Sequence, residues 1–340
     1  MTTTEGSSAE AVMGASAGGE AEVASGSERP ERSERSERPT SRQLTVVSPK
    51  INLRQRVTAI WRYRELLVGM TRKELRVQYK DSALGFLWSM LNPAITMMVY
   101  FVVFQLILKN GIPRFAIYLM CGVLVWNFFS SAVSGACGSI VANGNIIKKV
   151  AFPREIPVLA QLGSAFVQLG FQSIVMVGFL LAFRRGPALA YVPLLVPAVI
   201  ALLLLAAALG VLFAAINVRM RDMQHLLAVA LQVWFWATPI VYQYRLVRDP
   251  VVFHHSHLKD VFFLWRLNPV TPIVMTFQRA IYGVAAPRGA GGVRIAILPD
   301  HAGQWWYLWQ LLAVIGFSLV LLVGALMAFG KLEGNFAEEL

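Results

Sequence analysis

Charge is scarce in this chain. Only 15% of its 340 residues are Asp, Glu, Lys or Arg, where a soluble domain carries about 25%. The shortfall is concentrated in long stretches that lack all four, and such stretches belong in lipid or inside a helix bundle. Carboxylates are rarer still. Beyond residue 50 there are eleven, scattered from Glu65 to Glu339, which leaves little from which to build a convergent acid–base site of a membrane enzyme. Cysteine is nearly absent. Cys121 and Cys137 share one charge-free stretch. As a helix it would hold them roughly 24 Å apart, at about 1.5 Å per residue, too far for a disulfide. No phosphate-binding loop is present: Gly330-Lys331-Leu332 lacks the upstream glycine spacing and the Ser or Thr. If this chain drives uphill transport, another chain supplies the ATPase.

What the chain has in abundance is hydrophobic residues, 56% of the total, with a net charge of +12. The excess does not indicate nucleic acid. Lys and Arg stand beside apolar runs instead of forming one basic face with interleaved aromatics, as anionic headgroups and the positive-inside rule produce.

Residues 1–50 form a separate regime, rich in Ser, Glu, Ala, Gly and Arg and free of aromatics, with an imperfect repeat over residues 27–39. It cannot bury enough surface to offset its ordering entropy and reads as a disordered cytoplasmic tail. Nor has it the apolar core of a secretory signal. Residues 51–340 read as one membrane domain. Its start shows a helical stripe, Leu53, Val57, Ile60, Tyr63, Leu67 and Met70, in a basic surround. That pattern before a span predicts an amphipathic helix in the membrane interface.

Six charge-free stretches follow, at 82–108, 115–147, 156–183, 186–218, 223–244 and 301–330. A spanning helix needs about 20 apolar residues. The fold class expected is therefore an all-α integral membrane protein, with six transmembrane helices near 84–108, 115–137, 158–182, 190–216, 225–243 and 305–329. The first flank carries eight Lys or Arg, and Lys148, Lys149, Arg154, Arg219 and Arg221 lie in alternate short loops. This bias puts both termini in the cytoplasm. The pair Arg184 and Arg185 is a mild violation. Between the last two spans, residues 267–278 are again charge-free. Twelve residues are too few to cross and suit a re-entrant or interfacial helix capping the external mouth.

The stretch 139–157 carries the clearest loop signal. Asn143, Gly144 and Asn145 offer caps and a turn, and Ile146, Ile147, Val150 and Phe152 are apolar where the chain should be wet. Apolar residues flanked by charge mark a protein contact, or a loop folded back on its own helices. His254, His255 and His257 cluster in the external segment, without the neighbouring Cys or carboxylate pattern that a metal site would show.

Several motifs resemble a known family. Leu75 to Pro93 resembles the approach to the first span in ABC-2 type permeases that export polysaccharides and teichoic acids. Lys148-Lys149-Val150-Ala151-Phe152-Pro153-Arg154-Glu155 resembles their coupling segment, Asn217 to Asp222 their turn between spans four and five, and Leu267-Asn268-Pro269 with Phe277-Gln278-Arg279 their external re-entrant region. The matches run in order over residues 55–335. The resemblance implies a homodimer in the cytoplasmic membrane and two copies of a separate ABC ATPase subunit, which binds the ATP and Mg. This chain would bind no cofactor, do no bond chemistry and have no catalytic residues. It implies coupling through Ile146, Ile147, Lys148, Lys149, Phe152, Pro153, Arg154 and Glu155, and an external gate containing Asn268, Pro269 and Arg279. The cargo implied is a lipid-linked polysaccharide (an O-antigen, teichoic acid or galactan precursor). Tyr100, Phe101, Trp126, Phe129, Trp234 and Phe235 would line its path with aromatic faces. Two other classes compete: an ABC-2 permease for a small hydrophobic drug or lipid, and a membrane glycosyl- or acyltransferase.

Overall fold

The computed structural model describes residues 53–79, 87–107, 115–150, 152–182, 184, 186–244, 267–284, 286, 297–299 and 302–332. Residues 1–50 lie outside them, as do the three clustered histidines. Among the described residues there is no strand. The helices are α1 (Leu53–Arg62), α2 (Arg64–Tyr79), α3 (Leu87–Phe101), α4 (Phe115–Ala142), α5 (Gly144–Lys149), α6 (Ile156–Ala182), α7 (Leu195–Arg219), α8 (Met223–Trp236), α9 (Val270–Phe277) and α10 (Gln304–Leu332).

Four segments are long and apolar enough to cross a membrane: Phe115–Ala142, Ile156–Gly178, Val192–Arg219 and Gln304–Leu332. They correspond to the second, third, fourth and sixth expected spans. The other two are shorter. α3 has 15 residues and continues as a π-helix over Val102–Ile107. α8 has 14, about 21 Å at 1.5 Å per residue. The span expected to run to residue 243 ends at Trp236 because Pro239 follows closely, and the residue before a proline is pushed out of helical geometry. The chain then turns inward, burying Thr238, Pro239, Ile240 and Val241. Ile240 lies so close to Gly122 of α4 that a Cβ there would meet its side chain at 2.8 Å; only glycine admits that approach.

α4 is the centre. From Phe115 to Phe129 every residue except Asn127 is buried. α6 and α7 pack against it, and α10 covers α7. At the start of α7, Pro193 lies in a 3-10 turn and Pro197 in the first helical turn, where an amide N–H has no helical partner to lose. The outer faces stay apolar, for example Trp305, Trp309, Phe317 and Val320 on α10. Exposed apolar residues along a span face lipid.

The amphipathic segment is two helices, broken for one residue at Tyr63. Its buried face is narrower than the expected stripe. Leu66, Leu67 and Met70 pack on Ile156 and Ala160 of α6 together with Phe152, whereas Tyr63 is exposed. α2 is thus fastened to α6 as well as amphipathic.

Candidate functional site

α4 ends at Ala142, and the chain reverses through a segment built on one buried amide. Asn143 donates from Nδ2 to the carbonyl of Ser139 (2.8 Å), and its Oδ1 accepts from Lys73 Nζ (2.7 Å). Its own carbonyl accepts from Ile146 and Ile147 N–H, which starts α5. Lys148 and Lys149 fill the last turn of α5, where cations complement the exposed carbonyls. Ile146 and Val150 are a helical turn apart, share a face and are exposed by 38% and 53%. Ile147, one residue on, packs back against the core.

Beyond α5 the segment turns inward. Phe152, Pro153 and Arg154 are half-buried. Glu155, just before the first residue of α6, is 3% exposed, and Arg56 of α1 donates from Nη1 to its Oε1. A carboxylate there also faces the positive end of the helix dipole. Both Phe152 and Glu155 were expected in the coupling segment; Glu155 is buried and Phe152 half-buried. Isolated in a bundle, Glu155 would carry a large desolvation cost, and Arg56 offsets it. The exposed surface of α5 and its C-cap is therefore Asn145, Ile146, Lys148, Lys149 and Val150.

Midway along α4 sits an aromatic cluster. Trp126 packs on Phe129 and Phe235, both at 5.6 Å between ring centres, and Phe129 meets Trp234 edge-on at 5.2 Å. Trp126, Phe129 and Phe235 are buried, and Trp126 meets the other two in tilted or edge contacts. None of these three offers an open face to a passing sugar. The side chains of Tyr100 and Phe101 lie outside the described residues.

α9 packs against α4 and α7. At eight residues, seven of them buried, it is too short to cross. Asn268 organises its start. Its Oδ1 accepts from Trp234 Nε1 (2.9 Å) and Val270 N (3.0 Å), and its Nδ2 donates to Ala237 O (3.2 Å) and Thr238 Oγ1 (3.0 Å). Every polar atom of that side chain is thus used inside the subunit. Pro269 caps α9. After α9 a π-helix, Gln278–Tyr282, ends at Gly283, whose φ of +79° suits glycine. Arg279 folds over the Tyr191 ring at 4.3 Å and donates to the Gly283 carbonyl (2.9 Å). Asn268 and Pro269 stand at the start of α9, and Arg279 follows its end.

Residues 65–282 match the ABC-2 type transporter family. The chain belongs to that family. It is 28% identical over 284 residues to the O-antigen export system permease protein RfbA of Myxococcus xanthus, covering 84% of this chain and 98% of that protein. It is 29% identical over 204 residues to a protein of the same name in Klebsiella pneumoniae, covering 59% and 79%. An ABC-2 chain is a membrane-spanning transport subunit, which removes the glycosyl- or acyltransferase alternative. Among the described residues of this ABC-2 chain no group of His, Cys, Asp and Glu could hold a metal. Sequence reasoning missed Arg56 and Lys73 as the anchors of the 143–155 segment: eight basic residues precede the first span, and nothing in their spacing marks these two.

Proposed function

We propose that this chain is the membrane subunit of an ABC transporter that exports a lipid-linked polysaccharide across the cytoplasmic membrane. The relatives' names support that class of cargo. O-antigen, teichoic acid and galactan precursors all fit it. Two copies of the chain form the pore, and two copies of a separate ATPase subunit bind and hydrolyse ATP with Mg. The 51–340 domain spans six times, α3 and α8 completing the set begun by the four longer helices. Both termini are cytoplasmic, residues 1–50 form a tail, and the cap at α9 dips into the external mouth as a gate.

The observation that carries the reading is the anchored segment 143–155. It shows Ile146, Val150 and two lysines to solvent, while Arg56–Glu155 and Lys73–Asn143 tie it to α1 and α2. Exposed apolar residues rimmed by charge suit a docking surface. Because α2 and Phe152 also pack on Ile156 and Ala160 of α6, a push from a docked ATPase passes into the membrane helices.

Two experiments test this. Deleting the gene in its host and staining surface glycan should show loss of one polymer class, restored by the wild-type gene. Unchanged surface glycan would remove the proposed cargo. Cysteines introduced by Glu5→Cys and Glu338→Cys should resist an impermeant thiol reagent in intact cells, whereas Ser256→Cys should react. The reverse pattern would invert the topology and place segment 143–155 outside.

A further inference from the structure

A polar cleft of about 260 Å³ opens between α2, α4 and α6. Glu74, Gln78, Ser131, Gln161, Ser164 and Gln168 line it. Gln161 and Gln168 are two turns apart on one face of α6, and Ser131 and Gly135 are one turn apart on α4. Since α6 begins at Ile156, Gln161 and Gln168 stand roughly 8 and 18 Å along it, at about 1.5 Å per residue. Amides at that depth are costly if they face lipid, and intramembrane polar groups mark solute paths.

Interhelical glue explains only part of this set. Gln168 Nε2 donates to Gln78 Oε1 at 2.6 Å, which joins α6 to α2. The side chains of Ser131, Gln161 and Ser164 make no hydrogen bond among the described residues, although Ser164 is only 4% exposed. Gly135 makes room for the Gln161 amide: a Cβ there would come within 2.9 Å of its Oε1. Among the described residues the lining includes no Lys or Arg. Lys73 stands beside Glu74 at 3.7 Å but gives its hydrogen bond to Asn143. A phosphate needs cations or a helix N-terminus and would instead meet Glu74. Amides and hydroxyls both donate and accept, which matches a neutral, hydroxyl-rich ligand.

We propose that this cleft is a saccharide subsite, taking sugar hydroxyls of the exported chain at the end of the bundle that bears segment 143–155. The proposal rests on the export function above and adds where the glycan is held. It places the contacts on α4 and α6 amides and hydroxyls instead of the buried rings of α4 and α8.

The test uses the full chain in its host. A benzophenone amino acid replaces Ser131, and another chain carries it in place of Val320, exposed on α10. After irradiation the permease is purified and probed for periodate-sensitive glycan. A glycan adduct at position 131, absent at 320 and reduced roughly tenfold by Gln161→Leu but retained in Gln161→Asn, supports the subsite; tenfold matches one or two lost hydrogen bonds. No adduct at 131 in a chain that still exports, or equal adducts at both positions, overturns it. If deleting the gene leaves surface glycan unchanged, the export function itself fails, which is a separate result from an exporting chain without an adduct.

Discussion

The two ends of α4 are held in different ways. Where the chain leaves α4, segment 143–155 is anchored by charge: Arg56 on Glu155 and Lys73 on Asn143. Where it begins, the cap is held mostly by neutral amides and hydroxyls, with the Arg279 guanidinium lying over Tyr191. Asn268 uses its whole amide, Gln278 Nε2 donates to Pro239 O at 3.2 Å, and the Tyr118 hydroxyl donates to Tyr242 O at 3.0 Å. A charged anchor is strong only while both partners remain, because losing one leaves a buried charge unpaired. A neutral network loses its bonds singly and at smaller cost. The charged end suits a part that must transmit force as one piece, and the neutral end a part that opens and closes in steps.

The largest effect should come from breaking the charged anchor. Glu155→Lys should destabilise the detergent-purified chain by about 3–5 kcal/mol, since it places a second cation beside Arg56. Thermal unfolding measures it. The Arg56→Ala and Glu155→Ala double-mutant cycle should show strong coupling; additive effects would mean the pair contributes nothing. At the neutral end, Asn268→Ala should cost less, about 2–3 kcal/mol, by leaving Trp234 Nε1 and Thr238 Oγ1 poorly satisfied. A larger loss there than at Glu155 would reverse the comparison. Phe152→Ala removes a half-buried ring from the contact with Met70 and Ile156. It should cost about 1–2 kcal/mol, below the 3–5 typical of a fully buried Phe. Smallest of all, Ile146→Ser should shift stability by less than about 0.5 kcal/mol, as expected of an exposed site.

Much of the bundle was legible because long charge-free runs have few alternatives. α4, α6 and α10 begin within about two residues of the expected positions, inside the usual boundary error. α8 was overrun because Thr238 and Pro239 carry no charge and so prolong a charge-free run while proline geometry ends the helix. The segment after α4 was recognisable, but which of its residues face outward was not. Its apolar residues were grouped together although helical spacing separates Ile146 and Val150 from Ile147. The burial of Glu155 was not legible at all, since it depends on Arg56, 99 positions away. The same holds for the aromatic cluster. Trp and Phe in spans read equally as path or packing, and only the approach of α8 to α4 decides where their faces go.

The account's central claim is that an ATPase subunit docks on the exposed side of segment 143–155. The direct measurement is co-purification of that ATPase with the chain carrying Ile146→Asp and Val150→Asp together. Burying two such side chains contributes about 1.5–3 kcal/mol each, so recovery should fall at least about tenfold, with the unfolding temperature unchanged. Wild-type recovery from a double variant that still exports glycan would contradict the claim and leave segment 143–155 as a loop folded back on its own helices.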